Sequence, residues 1–72
     1  MLNAKLIGER IKELRKGKVM KSGNPMTQQE LADLAGISIN TVVAAERGQG
    51  DPKISTYLSI CNVLGLKLTA IL

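Results

Sequence analysis

Seventy-two residues with a net charge of +4, one cysteine, no histidine, no Phe or Trp and a single Tyr exclude an internal disulfide and a histidine-based zinc site. A chain this short buries little surface, so its stability must come from close aliphatic packing, from dimerisation, or from both. The charge is lopsided: residues 1–21 carry seven basic and two acidic side chains, and residues 22–72 carry three and four, a balance that fits either a polyanionic partner or a solvated Lys-rich helix face.

The first predicted element is an amphipathic helix over about residues 3–16. Ile7, Ile11 and Leu14 recur at i, i+4 and i+7 with charged residues between them, and Gly17 is its stop. "GKVMKSGNP" has turn chemistry and no period, so it reads as a loop carrying Lys18 and Lys21. "TQQE" is a capping box in which Thr27 accepts from the N3 amide and Glu30 reaches back. Leu31, Ala32 and Ala35 form one face of the short helix that follows, and Gly36 ends it. Ser38 caps a third helix that runs to about Arg47 and stops at Gly48. Two short helices joined by "GIS" read as a helix-turn-helix over about residues 27–47.

Val42 and Ala45 share the inward face of the third helix, against Leu31 and Ala35 of the second. Ile39, Asn40, Val43, Ala44 and Arg47 then project outward, and the question is what they face. Further on, Asp51-Pro52 can start a fourth helix with Pro in the first position. Ile54, Leu58, Cys61 and Leu64 supply its apolar stripe, and it ends near Gly65. In the tail, Leu66, Leu68, Ala70 and Leu72 alternate with other residues as in a strand, while Leu68, Ile71 and Leu72 also fit a last helical turn.

Little here suits catalysis. Cys61 lies on an apolar stripe without a His partner, the glycines sit singly rather than in a phosphate-binding loop, and no ligand set exists for a metal or cofactor. The lack of aromatic rings argues against base stacking on single strands. The longest apolar runs, of four residues, are too short to span a membrane. "MLNAKLIGERIK" is charged too early for a signal peptide, so a cytoplasmic location is expected.

"TQQELADLAGISINTVVAAERG" resembles the helix-turn-helix of the phage repressor and Cro family, the XRE-type regulators. Thr27-Gln28, Glu30-Leu31-Ala32, Gly36-Ile37-Ser38, Val42 and Glu46-Arg47-Gly48 carry the likeness, and "IGERIKELRK" and "PKISTYLSICNVLGL" extend it to the flanking helices. The resemblance implies one all-α domain over residues 1–72, a compact bundle of four to five helices that binds double-stranded DNA as a small dimeric regulator, a repressor above all. It implies that the third helix enters the major groove with Ile39, Asn40, Val43 and Ala44 at base edges. Asn40 is the strongest reader, because its amide can bond adenine N6 and N7 together. Gln28, Ser38, Arg47 and Lys53 are the expected phosphate contacts. Arg15 and Glu46 are expected to form a structural ion pair.

Two features depart from the family: the loop after the first helix is several residues longer, and the reading face has few polar side chains. The tail resembles the end of antitoxins that pair with kinase-type toxins. That implies a strand over about residues 66–72 pairing across a dimer axis through Leu66, Leu68, Ala70 and Leu72, and a possible toxin partner as the alternative function.

Overall fold

The computed structural model describes residues 3–71. Four α-helices, α1 (Ala4–Lys16), α2 (Gln28–Ala35), α3 (Ile39–Arg47) and α4 (Ile54–Leu64), precede a short 3-10 turn at Leu68–Ala70. The all-α expectation holds. Among the described residues the only β pairing is an isolated bridge between Val19 and Pro25, and no helix is long and apolar enough to cross a membrane.

The local signals act where the sequence places them. Asn3 Oδ1 accepts from the Leu6 amide at 2.9 Å and starts α1. Thr27 Oγ1 accepts from the Glu30 amide at 3.1 Å, and Glu30 Oε1 accepts from the Thr27 amide at 3.0 Å, completing the capping box of α2. Ser38 Oγ accepts from the Thr41 amide at 3.2 Å at the start of α3. Gly36 takes the left-handed conformation (φ 70°), and the Ile37 amide then donates back to the Ala32 carbonyl at 3.0 Å. This turn satisfies the last carbonyls of α2 and sends the chain directly into α3.

One core joins the helices. Ile11, Leu31, Ala32, Val42, Ala45, Ile60 and Cys61 are buried in it, together with Met26 from the loop and Ile71 from the tail. Helices α1 and α3 approach until their backbones touch. A Cβ on Gly8 would lie 2.4 Å from the Ala45 carbonyl oxygen and 2.6 Å from that of Glu46. At the other end of the crossing, a Cβ on Gly48 would lie 2.6 Å from Lys5 Cα. Two glycines therefore set the distance at which α3 is held.

The loop between α1 and α2 is folded back on itself. Met20 N–H donates to the Asn24 carbonyl at 2.8 Å, and Met26 N–H donates to the Lys18 carbonyl at 2.9 Å. The turn ends by delivering Met26 into the core, where it is 1% exposed.

Two expectations are corrected. Helix α4 begins at Ile54 after an extended Lys53, two residues later than an Asp51-Pro52 start. Its buried side is Tyr57, Ile60, Cys61 and Leu64, while Ile54 and Leu58 are 59% and 48% exposed. The predicted and observed stripes share Cys61 and Leu64, and the helix turns so that the chain's one aromatic ring leaves water, which gains the larger apolar burial.

The expected tail strand does not form. Ala70 N–H donates to the Lys67 carbonyl at 2.9 Å and Ile71 N–H to the Leu68 carbonyl at 3.1 Å, so the backbone satisfies itself in a 3-10 turn. Leu66 and Leu68 pack half-buried on the protein's own core, Ala70 is exposed, and Leu72 lies outside the described residues. Ile71, placed on the opposite side by the strand reading, is fully buried. With the strand goes the feature on which the antitoxin-like reading of the tail rested.

Candidate nucleic-acid interface

The solvent side of α3 is open. Ser38, Ile39, Asn40 and Arg47 are exposed, and Val43 and Ala44 are half-buried between that side and the core. Beside it runs a shallow groove of about 280 Å³, lined by Asn40, Thr41 and Ala44 from α3 and by Gln49, Gly50, Asp51 and Pro52 from the following loop. Asn40 and Ala44 thus share a concavity whose far wall is the α3–α4 connection. Gln49, which the sequence does not single out because it lies past the end of the helix, lines the same groove as Asn40. Lys53 is exposed at the start of α4.

Behind this surface lies a buried polar cluster. Arg15 and Glu46 are each 6% exposed. Arg15 Nε donates to Glu46 Oε2 at 2.6 Å and Nη2 to Glu46 Oε1 at 3.0 Å, a bidentate pair between α1 and α3. Arg15 Nη1 donates to the Met26 carbonyl at 2.7 Å. Gln28 Nε2 donates to Glu46 Oε1 at 3.1 Å. Every buried side-chain polar atom among the described residues has a partner, which is the condition for such a cluster to fix a geometry rather than weaken it. Gln28, expected at the DNA backbone, is half-buried and tied inward through one end of its amide.

Among the described residues, Tyr57 and Cys61 have shifted pKa values. Desolvation, and after it the Asp51 carboxylate, pushes the Tyr57 phenol up. Desolvation alone pushes the Cys61 thiol up. Burial favours the neutral form of both.

A capped two-turn helix, a left-handed glycine turn and a second capped helix with an open outer side define a helix-turn-helix unit. A helix-turn-helix family model matches residues 25–71. The immunity repressor protein of Bacillus phage phi105 is 32% identical over 65 residues, covering 90% of this chain and 41% of that protein. The uncharacterized HTH-type transcriptional regulator MJ0272 of Methanocaldococcus jannaschii is 35% identical over 43 residues, covering 60% of this chain and 65% of that one. The chain therefore spans less than two thirds of each of these relatives. The restriction-modification controller protein C.AhdI from Aeromonas hydrophila superposes with a TM-score of 0.82 at 26% identity, over 96% of both chains. The chain belongs to the helix-turn-helix family, of the XRE or phage repressor–Cro type.

Proposed function

We propose that this chain binds double-stranded DNA sequence-specifically, with α3 in the major groove, and acts as a small dimeric repressor in the cytoplasm without enzymatic activity. The observation that carries the reading is the open outer side of α3, presented by a helix braced from behind by Arg15 and by the glycine contacts to α1. Ile39, Asn40, Val43 and Ala44 meet base edges. Asn40 reads adenine through its amide, and the apolar three contact thymine methyls, so the half-site leans towards A·T. Ser38, Arg47 and Lys53 meet phosphates, as does Gln28 through the free part of its amide. One bidentate base contact supplies only about 1–3 kcal/mol of discrimination, so DNA shape supplies part of the specificity.

One domain reaches one half-site, and two related by a two-fold axis reach a full one. The surface proposed for the second copy moves from the tail to Ile54 and Leu58, a neighbouring i, i+4 pair of exposed apolar side chains on α4. The regulatory names of the relatives support the reading. The test is selection of bound duplexes from a random pool. The expected result is an A·T-leaning inverted repeat with half-sites about one helical turn apart; a pool that stays random after selection defeats the proposal.

A further inference from the structure

We infer that Glu46 is a positioning residue for DNA contact, acting through Gln28. The inference rests on the DNA reading above and adds to it a role for a buried residue that reaches no DNA itself. Glu46 sits in the last turn of α3, where the helix dipole disfavours a carboxylate. Arg15 offsets that by occupying Oε2 at 2.6 Å and sharing Oε1 at 3.0 Å. Oε1 then takes a further donor, Gln28 Nε2, at 3.1 Å.

A glutamine amide is two-faced: turned one way it offers NH2 groups, turned the other way a carbonyl. A phosphate accepts only donors, so an amide free to turn would meet it with the wrong end part of the time. The Glu46 carboxylate removes this freedom, because it has no hydrogen to give and can face only the NH2 end. One Nε2 hydrogen is then spent on Glu46. The other stays available for a phosphate oxygen at the N-terminus of α2, where the helix dipole also favours an anion. The buried pair thus reaches the interface as the fixed sense of one half-buried amide.

The experiment measures duplex affinity against salt for the full chain and for Gln28→Ala, Glu46→Gln and the double variant, each first checked for helicity by circular dichroism. Gln28→Ala is expected to weaken binding about tenfold on selected and random duplexes alike, the loss of one hydrogen bond to a charged group. The salt slope stays unchanged, because a neutral amide displaces no counterion. Glu46→Gln weakens binding less than Gln28→Ala does, by about twofold for an amide left to turn between two orientations, and the double variant is no weaker than Gln28→Ala. Losses that multiply in the double variant overturn the inference, because Glu46 then acts independently of Gln28.

Should Glu46→Gln fail to fold, the Gln28 side-chain amide of the unaltered chain decides by NMR. The inference expects one Nε2 proton protected from solvent exchange by Glu46 and the other shifting when duplex is added; two protons that both exchange with water as fast as those of the exposed Gln49 overturn it. A chain that holds no duplex overturns the DNA reading and this inference together. A chain that binds while the two substitutions act independently overturns this inference alone.

Discussion

Gly8→Ala separates two physical arguments that give opposite signs. By helix propensity alone, alanine in the middle of α1 stabilises by about 1 kcal/mol. In the fold the new methyl would lie 2.4 Å from the Ala45 carbonyl oxygen, where the obstacle is backbone that no rotamer change can move. An ordinary carbon–oxygen contact needs about 3.3 Å or more, so α1 and α3 must part by about 1 Å. A gap of that size forfeits up to about half of the dispersion well at each contact it opens. It also stretches the Arg15–Glu46 pair, now closed at 2.6 Å. Overpacking of this kind costs about 3 kcal/mol at the upper end of its usual range; less the propensity gain, the net loss is about 2 kcal/mol.

For a domain of this size that lowers Tm by roughly 8–16 °C, read by circular dichroism at fixed protein concentration. Gly17→Ala is the control. Gly17 has right-handed backbone angles, and its Cβ would meet nothing closer than 3.4 Å, so the same substitution should gain about 0.4–1 kcal/mol. A Gly8→Ala protein as stable as the unaltered chain would show that the helices are not in backbone contact and refute the packing argument.

Other expectations follow from the same geometry. Asn40→Ala should relax base preference at one position of each half-site by about 1–3 kcal/mol; equal losses on selected and random duplexes would remove Asn40 as a reader. Lys53→Ala should weaken binding to every sequence and lower the salt slope by about one, and an unchanged slope would remove it from the phosphate contacts. Leu58→Glu should shift the sedimentation of a dimer towards monomer while leaving the helical signal intact; a surviving dimer would exclude this part of α4 from the subunit contact. Stability should fall in alkali. Tyr57 and Cys61 are weaker acids in the fold, their pKa values pushed up by burial, so the unfolded chain loses these protons first, from near their ordinary values of 10.0 and 9.0. Their contribution is fully present below pH 9.0 and is lost as pH rises through the folded values. Urea midpoints should hold up to about pH 8 and decline by about pH 11, and Tyr57→Phe should flatten the upper part of that decline.

The ends of α2 and α3 were legible in the sequence because their causes are local. Thr27 with Glu30, Ser38, and the stops at Gly36 and Gly48 act within a few residues through side chain to backbone bonds. What escaped the sequence acts across the fold. Nothing near Gly8 announces that α3 will press against it, and nothing in "GKVMKSGNP" shows that Met26 at its end will fill the core. The face of α4 was misread because two stripes share Cys61 and Leu64, and only the packed bundle chooses between them. The tail was misread because alternation over a few residues fits a strand as well as a turn, and no partner strand was available to decide. For the candidate site, Asn40 could be singled out because its side chain matches a base edge. Gln49 could not, because it joins the groove beside Asn40 only once the α3–α4 connection folds alongside.

Arg15 holds the Met26 carbonyl with one nitrogen and Glu46 with two others. The chain is therefore clipped at the point where it re-enters the bundle, and the hairpin before that point hangs outside the clip. Met20 still ties the hairpin to the core, but its tip beyond Met20 is exposed: residues could be inserted into or trimmed from that tip without changing where the helices sit. A surplus that looks like an irregularity in the primary structure is, in three dimensions, an attachment point on which new contacts could be grafted.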